Sequence, residues 1–333
     1  MSNDPLNITI RGTGIVGVWQ AYVLASRGHN VTLVSKTVEP FSEASSWIAG
    51  AMLAPYCETE SAEPVIRRLG LQSMSLWQEA FPHICQKGTL VVAQPRDTSE
   101  LKRFARRTSE HETLDQTQLE KLEPDLAGRF RTGLFFPGEA HLQPHWALTH
   151  ILQKAMEAGA KTSFGTLDLP LDAEYVIDCR GIAARDELSD LRGIRGEMAI
   201  IRTGEISFKR PIRLLHPRFP LYLVPWPDNY FMIGATVIES DDQGPVSVRS
   251  GLELLSSAYG LHSAFGEAEI VKLSANVRPA FPDNIPKIIV RDRLLHVNGL
   301  YRHGFLTSPA LAHLVADYLE TSTVDKEVFV VEH

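Results

Sequence analysis

A glycine-rich β-α-β pattern near the N-terminus, a strand, glycine turn and helix near the C-terminus, and alternating strands between them predict an α/β protein. The two ends are expected to form one Rossmann-like lobe, with a mixed or antiparallel β-sheet domain inserted into it. Gly12, Gly14 and Gly17 carry the first observation. They form G-x-G-x-x-G directly after an alternating run, Asn7 to Arg11, and open a long apolar run from Ile15 to Arg27 that Gly28 closes. A second strand follows, Asn30 to Ser35. In such a unit the first glycine allows a tight turn and the second lets the backbone approach a pyrophosphate. The third lets helix and strand pack closely. The free N–H groups where the helix starts, at Ile15 and Val16, together with its dipole, favour the anion.

One residue departs from the pattern. The second strand of such a unit normally ends in Asp or Glu, which accepts hydrogen bonds from the adenosine ribose; here Ser35 stands in that place. A hydroxyl bonds to ribose without charge assistance, so weaker dinucleotide binding is expected. Lys36 beside it raises the alternative of a 2′-phosphate and NADP.

The remaining elements follow in order. Ser45, Ser46, Gly50, Ala51 and Met52 lie in SEASSWIAGAMLAP, a small-residue loop whose hydroxyls and open N–H groups suit a pyrophosphate or a ring edge; tight packing is the other reading. Ser61 to Phe81 reads as a helix, Thr89 to Ala93 as a strand, and 96–122 as a polar surface segment with short helices. Gly133 to Phe136 is strand-like, His145 to Gly159 helical, and Glu174 to Asp178 a buried strand leading to Gly181. From Gly193 to Thr236 the alternation is that of a separate sheet. A helix at Val246 to Tyr259, a strand at Glu269 to Arg278, strands near Lys287 to Val290 and Leu294 to Val297, and a closing helix at Ser308 to Leu319 complete the chain.

Composition bounds the function. The 333 residues are 44% hydrophobic and 22% charged, a globular balance long enough for two lobes. A net charge of −7 argues against nucleic acid or anionic membrane as main partners. Cys57, Cys85 and Cys179 form no C-x-x-C, so a reducing cytoplasm is expected. No zinc-spaced cluster occurs, and Pro144 spoils the helix face that His141 and His145 would need as ligands, so no metal is expected.

The segment LLHVNGLYRHGFLTSPALAHLVADYL, taken with the first motif, SSWIAGAMLAP and NVRPAFPDNIP, resembles the FAD-dependent D-amino-acid oxidase superfamily. Within it the chain looks most like the glycine oxidases of thiamine biosynthesis. FPGEAHLQP, VIDCRGIAA, GIRGEM and YLVPW recur in the family's order, and the likeness covers nearly the whole chain. It implies an FAD-binding domain from residues 1–80, 138–185 and 283–333, and a substrate domain from 81–137 and 186–282.

A flavin oxidising an amino acid needs a cation for the substrate carboxylate and positive potential where charge develops on the ring. Arg278, in VRPAF, offers a bidentate fork and matches the family's substrate arginine; a surface arginine paired to Asp283 is the alternative. Tyr222 matches the family's active-site tyrosine, against a core tyrosine satisfied by a carbonyl. Leu300, Tyr301, Arg302, His303, Gly304, Phe305 and Leu306 form the second flavin loop, and the following helix start favours an anionic ring. Arg302 is expected to add charge or touch substrate, and His303 to be structural.

The resemblance implies oxidation of glycine, or of sarcosine or small D-amino acids, to the imine, with O₂ reduced to hydrogen peroxide. A related dehydrogenase with another acceptor and a flavin-binding protein without turnover are the rivals. The oligomeric state is left open, homo-oligomers included. No cysteine follows Cys179, so the late cysteine that anchors flavin in related sarcosine oxidases is missing and FAD is expected to be noncovalent. Acid precipitation of the purified protein is therefore expected to release all yellow colour to the supernatant; colour retained in the pellet would contradict this.

Overall fold

The computed structural model describes residues 4–168, 170, 172–217 and 220–332. Two large sheets organise them. The first has seven strands in the order Phe329–Glu332, Lys287–Arg291, Leu294–Asn298, Tyr175–Asp178, Asn7–Arg11, Asn30–Ser35 and Lys161–Phe164. The last five pair in parallel. The winding reverses between Asn7–Arg11 and Tyr175–Asp178, so their C-terminal ends open a crevice of the kind that binds ligands in such sheets. Ile15–Ser26 is buried on most of its surface, because it packs between the sheet and the helices Pro144–Glu157 and Gly304–Thr321.

The second sheet has nine strands and is mixed. Arg192–Arg202 pairs antiparallel with Glu269–Ala280 and Tyr230–Gly234, and Leu221–Trp226 continues the series to Ile212–Leu215. Ile212–Leu215 then runs parallel to Thr89–Ala93. One face carries a separate core with Leu90, Leu223 and Phe231 at its centre, roofed by the helix Val248–Leu261. The other face turns toward the crevice of the first sheet.

Most elements lie within a few residues of their sequence-read positions, with two informative exceptions. The edge strands Glu112–Asp115 and Lys161–Phe164 carry too few apolar residues to announce themselves, and Phe329–Glu332, though apolar, is only four residues long. The closing helix begins at Gly304, not Ser308, so Gly304, Phe305 and Leu306 form its first turn and Pro309 lies inside it.

Helix formation across Pro309 has a specific cause. Proline has no N–H to give to the carbonyl four residues back, which is Phe305. The indole N–H of Trp77 donates to that carbonyl at 2.8 Å. One turn earlier on the same helix, Ser73 Oγ accepts from the Ala310 N–H at 3.1 Å. Ser73 and Trp77 are four apart and therefore share one face of Pro64–Ala80. Trp77→Phe keeps a ring in place and strands the buried carbonyl. It is expected to cost about 1–3 kcal/mol, read as a lower urea midpoint at unchanged m-value in FAD-stripped protein. An unchanged midpoint would show that the helix does not depend on this bond.

Candidate active site

A cavity of about 840 Å³ lies between the parallel crevice and the inner face of the mixed sheet. Every residue that the sequence reading placed at the cofactor or substrate lines it except Gly17. That exception has a steric reason. A Cβ on Gly17 would stand 1.8 Å from the Gly12 carbonyl oxygen, so Gly17 serves the packing of helix on strand. Gly12 has φ +101°, and a Cβ there would meet the Cys179 carbonyl at 2.7 Å. Gly14 caps the helix without a side chain, and the Ile15 N–H donates to Ser46 Oγ at 3.2 Å. The small-residue loop thus meets the helix start, where bare N–H groups and the helix dipole suit a pyrophosphate.

At the far end, Ser35 Oγ lies 3.0 Å from Thr37 Oγ1 and faces the cavity. Lys36 is half exposed and paired to Glu43 at 2.8 Å, so its charge is already matched. Beneath the crevice, Asp178 is fully buried and bound by Arg180 at 2.7 Å; Arg180 also reaches Glu187 at 2.9 Å. Asp178, Glu187 and His296 bring donor atoms within 4.8 Å of one another, the one group of metal-ligand type among the described residues. Its carboxylates are already engaged by guanidinium, which makes it an ion-pair cluster. His141 lies in the short strand Ala140–His141, while His145 stacks on Trp47 at 3.9 Å.

Two loops cross the cavity with left-handed backbone at residues other than glycine: Ala51 and Tyr301, both at φ 49°. Such conformations cost on the order of 1–3 kcal/mol each. Each is fixed by a neighbouring bond: Leu142 N–H to the Ala51 carbonyl at 3.0 Å, and Tyr301 N–H to the Pro279 carbonyl at 2.9 Å.

The mixed sheet supplies the other wall. Tyr222 packs its ring over Gly234, where a Cβ would come within 2.8 Å of it. The guanidinium of Arg278 lies across Gly196 in the same way, at 2.0 Å from the position of a Cβ. Arg278 Nη1 donates to the Thr236 carbonyl at 3.3 Å, and among the described residues no carboxylate pairs with it. Asp283, the alternative partner, is bound to Lys287 at 3.1 Å instead. Burial pushes the Arg278 pKa down and Arg302 adds to this, while the phenols of Tyr222 and Tyr301 oppose it.

Two residues at this end were not singled out from the sequence. Arg213 stands directly opposite Tyr222 on the adjacent strand, so the two share a face. It forms a close ion pair with Glu58, and Glu58 also faces Arg302 Nη2 at 3.8 Å and His303 Nδ1 at 3.5 Å. Burial works to raise the Glu58 pKa, but Arg213 and Arg302 outweigh it and hold the carboxyl well below its usual range. Burial, helped by the surrounding guanidiniums, pushes His303 down to about 4, so it is neutral at pH 7. A single arginine in the apolar strand IRLL was the available signal for Arg213; Glu58, in a polar loop, gave none.

A nucleotide-binding helix start and a cation-rich pocket joined in one cavity define a flavin oxidoreductase. The chain belongs to the family described as FAD dependent oxidoreductase, which matches residues 7–318. It is 49% identical over 318 residues to a Rhizobium etli protein named "Putative thiamine biosynthesis oxidoreductase ThiO", covering 95% of this chain and 97% of that one. It is 27% identical to the glycine oxidase of Geobacillus kaustophilus, covering 94% and 93%. The crystal structure of glycine oxidase from Bacillus cereus has the same fold, with a TM-score of 0.82 at 23% identity and 96% of each chain covered.

The cavity fits FAD: the cradle at Gly12 admits no Cβ toward the Cys179 carbonyl, the helix start at Gly14 is bare of a capping side chain, and Ser35 stands at the ribose end. Ser35→Glu is expected to tighten FAD, because a carboxylate there accepts charge-assisted bonds each worth about 1.5–3 kcal/mol before desolvation. FAD dissociation constants by fluorescence check this. Equal or weaker binding would mean that the Ser35–Thr37 pair is what the ribose end requires.

Proposed function

We propose that the protein oxidises a small amino acid, with glycine as the leading substrate, to its imine, and that O₂ reoxidises the flavin to give hydrogen peroxide. Sarcosine and small D-amino acids belong to the same class. The product would feed the thiazole of thiamine, a reading supported by the names of the relatives. On this reading residues 1–80, 138–185 and 283–333 hold noncovalent FAD, 81–137 and 186–282 shape the substrate side, and the enzyme works in the cytoplasm.

The observation that carries the proposal is Arg278: a guanidinium facing the cavity with no carboxylate partner among the described residues. A buried cation without a counter-ion is costly unless a ligand supplies one. Its planar fork can take an α-carboxylate bidentately, and the Tyr222 hydroxyl can donate to the same group. That grip fixes Cα relative to the ring. FAD, when bound, supplies the two-electron acceptor. His303 is neutral and adjoins Glu58, so it adds no charge to the site and holds the loop. Arg302 has 29% of its side chain accessible and faces the same cavity, where its charge favours an anionic ring.

Arg278→Ala is expected to cut kcat/KM for glycine at least tenfold with FAD content unchanged, from a loss of about 2–5 kcal/mol in transition-state binding. Arg278→Lys recovers little, because a point charge does not reproduce the fork. Arg302→Ala is measured beside it by anaerobic flavin reduction, which excludes O₂ chemistry. Loss of saturation by glycine in Arg302→Ala alone would reverse the two roles.

A further inference from the structure

We infer that the same cavity accepts amino acids carrying a second carboxylate, held by Arg213 and Arg302; this rests on the reading that Arg278 takes the first. The charges lining the cavity carry the argument. Toward the nucleotide end they are matched pairwise: Lys36 with Glu43, Arg180 with Asp186, and Arg185 with Asp241. Toward the mixed sheet three guanidiniums, of Arg213, Arg278 and Arg302, face a single carboxylate, that of Glu58. Glu139 lies behind Cys57 and outside the lining. It accepts from the N–H groups of Tyr56 and Cys57 and acts on Arg213 from behind the cavity wall; burial outweighs that attraction and pushes its pKa up. A monocarboxylate takes Arg278 and leaves Arg213 and Arg302 sharing one carboxylate, Glu58, within the cavity lining.

Position supports the count. Arg213 and Tyr222 are directly opposed on adjacent strands, which places their Cβ atoms about 4.5–5.5 Å apart on one face. A substituent extending from an amine nitrogen past Tyr222 therefore runs toward Arg213. Arg213 Nε is buried and has no hydrogen-bond partner among the described residues, and the Arg302 side chain is partly accessible. The substrate class that fits is two carboxylates on a three-atom spacer, as in N-carboxymethylglycine. Its oxidation follows the same course as glycine. The Cα–H bond breaks and the nitrogen lone pair closes the C=N bond; FAD, when bound, would take the electron pair, with O₂ reduced to hydrogen peroxide as the final acceptor. Water adds to the imine to release glyoxylate and glycine.

The test uses the FAD-loaded enzyme and two inert probes, glutarate and butyrate, titrated against the flavin absorption spectrum. Glutarate is expected to bind at least tenfold more tightly than butyrate. Arg213→Gln should reduce that ratio to within about twofold of one. Glu58→Gln, which releases both guanidiniums from their shared carboxylate, should raise it. A purely structural role for the pair would not move the ratio in opposite directions, and Glu58→Gln retains the test should Arg213→Gln fail to fold. Equal binding of the two probes by the wild type, or a ratio indifferent to both substitutions, overturns the inference and assigns the surplus charge to the flavin. Anaerobic bleaching by glycine is scored separately. Bleaching without a glutarate preference defeats only this inference, whereas a glutarate preference without bleaching defeats only glycine as substrate.

Discussion

The close approach of the first helix to the first strand governs the molecule. The Gly17 position touches the Gly12 carbonyl, and the Gly12 position touches the carbonyl of Cys179. The first strand, the helix that follows it and the distant segment at Cys179 thereby meet through bare backbone at the point where the parallel sheet changes its direction of winding. Any side chain at either glycine would push the helix start away from the crevice. The aim of its N–H groups, and with it the whole cofactor end of the cavity, follows from that contact.

The opposite end is organised by charge. Glu58 gathers Arg213, Arg302 and His303 around one buried carboxylate, while Arg278 donates to a backbone carbonyl and, among the described residues, pairs with no carboxylate. The pairing with Glu58 keeps two desolvated cations affordable, and its incompleteness leaves positive potential directed into the cavity. Under the proposed function both features serve, the one for binding an anionic substrate and the other for tolerating negative charge on the flavin. The glycines Gly196 and Gly234 make this possible by leaving the sheet surface free for Arg278 and Tyr222 to lie flat.

Between the two ends run the irregular segments. Ala51 and Tyr301 adopt left-handed backbone, and the helix from Gly304 contains a proline. In each case a partner from elsewhere in the fold repairs the local cost: Leu142, the Pro279 carbonyl, and the Ser73 and Trp77 face of the neighbouring helix. The loops that approach a cofactor are thus rigid by external support, not by their own propensity.

The sequence by itself determined the features that depend on local chemistry. The glycine spacing, the periods of the apolar runs and the punctuation by glycine and proline already specified a nucleotide-binding β-α-β unit, an inserted sheet and a return to the first lobe. The resemblance to a flavin oxidase family, with the chemistry of the side chains themselves, marked Arg278, Tyr222 and the loop from Leu300 to Leu306. Tertiary structure alone decided what depends on contacts between distant segments. Helix start at Gly304 needs Trp77, 228 residues away, to satisfy a carbonyl that proline cannot. Arg213 acquires meaning only when strand register sets it beside Tyr222. Glu58, unremarkable in a polar loop, becomes the centre of the site because folding desolvates it among three basic groups. Charge, unlike periodicity, acts through space, so its partners are fixed by the fold and not by spacing along the chain.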